Sequence, residues 1–198
     1  MAAIAIAGVG LMVVCSSSIA AVMMMGGEEE TPATTTTAGP TAPTIPSGQY
    51  VKLVHTVAQD NSAAGNEDDK NKIINLAEVE VFAPGGTTSL AAGKTVEGTM
   101  FRSESFPGSN FVDGVMNNLG HTFGRDANVK DHIQIDLGSV QEIEKIKITN
   151  RVDCCKNRAI GIKAVILGAD GTTVVEETPA ISTTADTYTF TFPGTAWA

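Results

Sequence analysis

The residues best suited to chemistry lie in one nonapeptide, NRVDCCKNR, at residues 150–158. It holds two adjacent cysteines and an aspartate, Asp153, between two arginines, Arg151 and Arg158. A guanidinium carries several hydrogen-bond donors in a fixed planar fork, which suits the hydroxyl and ring-oxygen acceptors of a sugar. A neighbouring aspartate can orient such an arginine through a charge-assisted hydrogen bond. Considered alone, however, these residues favour an ordinary surface cluster of ion pairs, which stabilises a fold very little.

The two cysteines, Cys154 and Cys155, are adjacent, so a bond between them would be unusual. Consecutive Cα atoms lie about 3.8 Å apart across a trans peptide, below the roughly 4.4–6.8 Å that a disulfide usually spans. The bond would close a strained eight-membered ring that rigidifies the turn and presents an apolar sulfur surface. Three interpretations stay open: this vicinal disulfide in an oxidising compartment, two buried thiols in a reducing one, or a reactive redox pair.

The whole composition narrows the function classes. The chain has 198 residues, a formal net charge of -9 and a pI near 4.7, which argues against a nucleic-acid-binding protein. Its third cysteine is Cys15, and three cysteines cannot form a disulfide framework. The sequence has no nucleophile elbow, no His-Glu-x-x-His motif and no phosphate-binding loop. We therefore expect a binding protein and not an enzyme.

The N-terminal segment, residues 1–27, is predicted to be a membrane anchor. Residues 2–27 carry no charged side chain, and a helix through this apolar run would cross a ~30 Å hydrocarbon core. A cleaved secretory signal is the alternative, although the segment lacks a basic n-region and a clear cleavage site, and a buried core helix is a third option. The acidic residues Glu28–Glu30 and the linker after them place the C-terminal part on the non-cytoplasmic side.

Two further segments follow the predicted anchor. Residues 28–48 are dominated by Thr and Pro, a composition typical of a semi-rigid or O-glycosylated stalk, or merely of a disordered tether. Residues 49–198 show short runs in which apolar and polar residues alternate, such as YVKLVHTV, EVEVF, IQIDL, IEKIKIT and YTFTF. Period-2 runs separated by Gly, Pro and Asp-Gly turns predict an all-β fold, an antiparallel β-sandwich or jelly roll.

The predicted β domain at residues 49–198, called the head below, resembles a known family over residues 49–193. INLAEVEVFA, LAAGKTVEGT with NFVDGV, and DHIQIDLGSVQEIEKIKITNRVDCCKNRAIGIKAVIL are similar to discoidin-like domains (coagulation factor 5/8 type C, galactose-binding-like) and to fucolectins, the F-type lectins. The NRxDCCxxR stretch is the most diagnostic part and is typical of the fucolectin branch. In the family the LAEVEVF strand closes the domain, whereas here it comes first. A circular permutation is the simplest explanation, and a truncated second repeat is a weaker one.

The resemblance implies a sugar pocket. In fucolectins the matching arginines and an upstream histidine contact fucose, and the vicinal disulfide packs against a face of the sugar. Carried onto this chain, the sugar-binding residues are His121, Arg151, Asp153, Arg158, Cys154 and Cys155. His121 is separated from Arg151 by 29 residues, a few more than in the family, and an insertion in the FGRDANVK loop would account for this. His132 and His55 are expected to be strand residues.

The resemblance also implies a structural calcium ion. Family members commonly bind Ca²⁺ near the Asp-Gly turn, and the matching oxygen ligands here are Asn110, Asp113 and Glu78. Without the resemblance, Asp113 would be explained by an Asx turn and Glu78 by an exposed strand face.

These features together predict a single-pass membrane protein that displays a calcium-assisted lectin domain for glycan recognition or cell adhesion. Its partners would be fucosylated or galactosylated glycans, bound with avidity by many copies or a homo-oligomer on the extracellular or virion surface. The alternative is a structural or adhesive surface or virion membrane protein that keeps the discoidin-like fold without a working sugar pocket.

Overall fold

A computed structural model describes residues 44–57, 72–123 and 129–198. The predicted anchor and nearly all of the predicted stalk lie outside these ranges, as does most of the loop between the first two strands. Within the described ranges, no helix is long and apolar enough to span a bilayer.

The described residues form an all-β structure of nine antiparallel strands with two short 3₁₀-helices, η1 (Gly108–Phe111) and η2 (Lys156–Ala159). The strands lie in two sheets, one with the order β3-β5-β1-β7-β8 and one with the order β4-β2-β6-β9. In chain order, β1 to β9 are Ser47–His55, Asn75–Phe82, Thr95–Gly98, Gly120–His121, His132–Glu142, Lys145–Asn150, Ile162–Leu167, Val174–Glu177 and Thr187–Thr191.

The alternating sequence pattern produces these strands. In β6 (KIKITN) every second side chain is buried, and the first half of β5 shows the same alternation. Because successive side chains point to opposite faces of a strand, one face of each sheet becomes apolar and must be covered. Residues of both sheets, such as Leu53, Ile135 and Ile166 from one and Val79 and Ile148 from the other, form one buried cluster. The predicted antiparallel sheets are confirmed, and the architecture agrees with a galactose-binding-like β-sandwich.

The two N-terminal strands enter the middle of the sheets. Strand β1 pairs with β5 and β7, and β2 pairs with β4 and β6. The predicted Asp-Gly hairpin is also present, because β7 pairs with β8 across the turn at residues 168–173. That β1 and β2 return to the sheets was expected, whereas the circular permutation itself stays a prediction.

His121 and the start of the nonapeptide, residues 150–158, lie at one end of the four-stranded sheet. Asn75, at the start of β2, lies opposite His121 of β4, and the next residue, Leu76, lies opposite Asn150 at the end of β6. The nonapeptide therefore leaves β6 beside the start of β2 and beside β4. Gly120 is required here, because a Cβ on it would lie 2.4 Å from the ring of Phe111.

Candidate functional site

Arg151 is the anchoring residue of the site. It is 8% exposed, and its Nε and Nη2 donate to the two carboxylate oxygens of Asp153 at 2.7 and 2.6 Å. Its Nη1 donates to Oδ1 of Asn75, which lies on β2. The hydrogen bonds from Arg151 hold the pKa of Asp153 well below its usual range. Because Arg151 is bonded to Asp153 on one side and to Asn75 on the other, the plane of its guanidinium is fixed. The remaining N–H groups of Nη1 and Nη2 therefore have a defined direction.

His121 is buried next to this arginine, with 2% of its surface exposed. Arg102 places its Nη1 3.3 Å from Nε2 of the ring, and Nδ1 lies 2.5 Å from the carbonyl oxygen of Thr122. A guanidinium can only donate and a carbonyl can only accept, so Nε2 is the acceptor and Nδ1 carries the proton. Both ring nitrogens are therefore engaged within the protein.

The ring of His121 is neutral at physiological pH. Burial lowers its pKa to about 4, opposed by the hydrogen bond to Thr122 and reinforced by the positive charges of Arg102, Arg158 and Arg151. Asn75 links this ring to the nonapeptide, because it pairs with His121 across β2 and β4 and accepts a hydrogen bond from Arg151. The structure thus brings Arg102, His121 and Arg151 to the same end of the sheet, with Arg158 further along the same loop.

Three residues at this site were not identified from the sequence. Asn75 binds Arg151, Arg102 binds His121, and Phe106 packs under both, with its ring 5.8 Å from the imidazole and 5.7 Å from the guanidinium carbon of Arg102. Arg102 is exposed at the surface, and its backbone N–H donates to the carbonyl of His121 at 2.9 Å. Asn75 starts β2, whereas Arg102 and Phe106 lie in one loop after β3, and no motif in the sequence pointed to any of the three.

The cysteine pair forms the outer part of the same loop. Cys154 and Cys155 are joined by a disulfide, and Cys155 adopts a left-handed backbone with φ 56°. Cys154 is exposed and Cys155 is partly buried. Arg158 follows in η2, where its backbone N–H donates to the carbonyl of Cys155 at 3.1 Å. The Nδ2 of Asn150 donates to the carbonyl of Lys156 at 3.0 Å and ties this loop to the end of β6.

Two of the three proposed calcium ligands, Glu78 and Asp113, lie at the Asp-Gly turn. Oε2 of buried Glu78 accepts the backbone N–H of Gly114 at 3.0 Å. Asp113 accepts from the N–H of Val115 at 2.8 Å and from Nδ2 of Asn118 at 2.9 Å, as in an Asx turn. Asn110 donates its Nδ2 to the carbonyl of Leu119 at 2.9 Å, which leaves its Oδ1 as an acceptor.

The electrostatics of this turn suit a cation. Burial raises the pKa of Glu78 to about 7, opposed by the bond from Gly114 and reinforced by the charge of Asp113. A buried carboxyl beside a second carboxylate would be relieved by a positive ion, and the oxygen donors match what calcium prefers. Only two carboxylates are present, and the described part of the chain contains no cluster of three or more His, Cys, Asp or Glu that could hold a metal. Amide and carbonyl oxygens would have to supply the remaining ligands.

The other two histidines lie on strands, as expected. His132 begins β5, and its ring contacts the hydroxyl of Thr99 at 3.2 Å. His55 ends β1 and is buried, with Nε2 3.1 Å from the carbonyl of Ile73. Burial lowers the pKa of His55 to about 4.

A cleft lies on the outer face of the five-stranded sheet. Its volume is about 390 Å³, and its lining includes Tyr50, Glu97, Gln134, Asp136 and Thr172. The lining residues come from β1, β3, β5 and the β7–β8 turn, and none of them belongs to the predicted sugar or calcium sets. This cleft supplies a well-defined control surface for binding experiments.

Comparison with known proteins supports the family assignment. The family model for the F5/F8 type C domain, described as NedA-like, galactose-binding domain, matches residues 110–197. This region runs from η1 to beyond β9, and the all-β sandwich fits the match. The resemblance to the F5/8 type C, galactose-binding-like family is therefore confirmed for this region. No curated protein and no solved structure matched the chain.

Proposed function

We propose that this protein is a membrane-anchored, calcium-assisted lectin for fucosylated or galactosylated glycans, used in glycan recognition or adhesion. The observation that carries this proposal is the placement of Arg102, His121 and Arg151 at one end of a sandwich whose residues 110–197 match a galactose-binding-like family. Domains of this family are binding modules, which agrees with the lack of any catalytic motif. The fucolectin branch, the jelly-roll strand order and its circular permutation are part of the proposal.

The chain's own residues would hold the sugar as follows. Arg151, fixed by Asp153 and Asn75, would direct its remaining N–H groups at sugar hydroxyls. Arg158, in η2, would add a second fork. The disulfide of Cys154 and Cys155 would pack against an apolar face of the ring. Because these side chains are already held in place, the entropic cost of binding is lower.

Calcium is proposed as a structural ion. Glu78, Asp113 and Asn110 would bind it, and the ion would supply the positive charge that the buried Glu78 carboxylate lacks. It would stabilise the turn at residues 113–115, which connects η1 to the strand that carries His121.

Membrane attachment would hold many copies on one surface and so increase the avidity of glycan binding. Residues 1–27 would anchor the protein and residues 28–48 would raise the head on the non-cytoplasmic side. A single shallow site on a lectin binds modestly, and many copies or a homo-oligomer on one surface would multiply the effect.

One observation favours the alternative, a surface or virion protein that keeps the fold without a working pocket. Both nitrogens of His121 and much of Arg151 are already hydrogen-bonded inside the protein. A purely structural cluster would show the same internal bonds.

A glycan array of the full chain, with and without a calcium chelator, separates the two. The lectin proposal predicts binding to fucosylated or galactosylated glycans that weakens on chelation. It also predicts that Arg158→Ala abolishes binding with an unchanged melting temperature, whereas Gln134→Ala in the sheet-face cleft has no effect. Silence on every such glycan would leave the structural alternative.

A further inference from the structure

We propose that Arg102, oriented by His121, makes the ligand contact at this position and selects sugars that carry a carboxylate or a sulfate. His121 is then a positioning residue and does not contact the ligand itself. This inference rests on the proposed function, since it requires a sugar to bind at this end of the sandwich.

The imidazole of His121 is poorly placed to contact a ligand. It is 2% exposed, and neither nitrogen is available, because Nδ1–H donates to Thr122 and Nε2 accepts from Arg102. A sugar hydroxyl could reach Nε2 only by displacing the guanidinium. Nε2, the one acceptor of the ring, instead accepts the hydrogen bond from Arg102. This bond fixes the orientation of the arginine side chain.

Arg102 has the complementary properties. It is exposed, its backbone is held to His121 by a 2.9 Å hydrogen bond, and its guanidinium lies over the ring of Phe106 at 5.7 Å. Stacking on an aromatic ring and one hydrogen bond to the imidazole use one of the five N–H groups and limit the rotamers. Four donors of the fork remain for a ligand.

The charge of Arg102 explains the preference for an anion. Arg151 is neutralised by a bidentate pair with Asp153, but Arg102 makes no ion pair within the part of the chain that the structure describes. Arg102 contacts His121 directly, and Arg151 is bonded to Asn75, the residue that pairs with His121, so two of the four arginines lie at this end of a chain whose net charge is -9. A planar guanidinium fork matches the paired oxygens of a carboxylate or a sulfate better than it matches hydroxyls.

The test compares three forms of one galactose-terminated glycan: the neutral glycan, the same glycan carrying a sulfate, and the same glycan carrying a carboxylated sugar. Binding to the full chain is measured by calorimetry at low and at physiological salt. We expect the better anionic form to bind about five- to tenfold more tightly than the neutral one, the range for a partly exposed charged hydrogen bond. The sulfate and carboxylate arms identify which anion the site takes.

Variants then assign the effect. Arg102→Met should weaken binding of the anionic glycan more than binding of the neutral one, so that the ratio of the two affinities falls to about one, because methionine keeps the length of the side chain without its charge or donors. Arg102→Lys should restore only part of it, because the charge returns without the fork. His121→Asn should reduce the ratio of anionic to neutral affinity, a readout that general destabilisation would not change. Lys147→Met on β6 is the control for an equal change in net charge.

Each result has one meaning. Equal binding of all three glycans by the wild type, or an unchanged preference in Arg102→Met, overturns the anion proposal while the lectin function stands. Failure of all three glycans to bind overturns this inference, and if no fucosylated glycan binds either, the proposed function falls with it.

Discussion

Acid should destabilise the fold through His121. The buried ring is neutral in the folded protein, with a pKa of about 4, while the same ring in the unfolded chain takes up a proton near its ordinary value of 6.5. Between these values the unfolded state binds more protons than the folded state. The contribution is therefore fully present above pH 6.5 and is lost as the pH falls toward 4.

The size of the effect follows from the two pKa values. Linkage gives a loss of about 2–3 kcal/mol between pH 7.5 and pH 4.5 for this one group. His121→Asn removes the titrating ring, so the variant should lose about 2–3 kcal/mol less than the wild type over the same interval. Urea unfolding at the two pH values measures both losses, and shared contributions such as that of His55 cancel in the difference.

A neighbouring substitution controls for general damage to the site. Phe101→Leu disturbs the neighbouring packing on Phe111 but removes no titratable group and leaves Phe106 on the imidazole, so its loss on acidification should equal that of the wild type. If His121→Asn loses as much stability as the wild type between pH 7.5 and 4.5, the ring is not held neutral by burial and this reasoning is wrong.

Four further predictions concern the same end of the molecule. Arg151→Met should cost about 2–3 kcal/mol in urea unfolding because buried Asn75 loses a charged donor, and a cost below that of the surface variant Lys147→Met would contradict this. Gly120→Ala should destabilise by about 1–3 kcal/mol, since its Cβ would overlap the Phe111 ring, and an unchanged midpoint would refute the close approach. Calcium should raise the melting temperature of the wild type and not of Glu78→Gln, and an equal rise in both would place the ion elsewhere. Mass spectrometry without reductant should find the nonapeptide two hydrogens lighter than after reduction, and two free thiols would rule out the bond between its cysteines.

Much of the fold could be predicted because its determinants are local. The alternation in IQIDL and IEKIKIT fixes which side chains of β5 and β6 are buried, whatever their partners are. The Asp-Gly turn between β7 and β8 is likewise set by a few adjacent residues. The order of strands in the two sheets depends on contacts between distant segments, and periodicity carries no information about it.

The candidate site shows the same difference between local features, which the sequence reveals, and contacts between distant segments, which it does not. The nonapeptide was identifiable because its arginines, aspartate and cysteines are contiguous. Arg102 and Phe106 were not, since they reach His121 only through the backbone pairing of Phe101 with Thr122 and the loop that follows. The sequence indicated His121 as a candidate but could not show that both of its nitrogens are engaged inside the protein, which depends on the folded partners.

The most direct test of the central claim is to map sugar binding on the isotopically labelled full chain by NMR. Titration with a galactose- or fucose-terminated glycan should shift the amide signals of residues 150–158 and the side-chain Nε–H signals of Arg102 and Arg151. Signals from Tyr50 and Gln134 in the sheet-face cleft should stay unchanged. Shifts confined to that cleft, or no shifts with any glycan, would contradict the account.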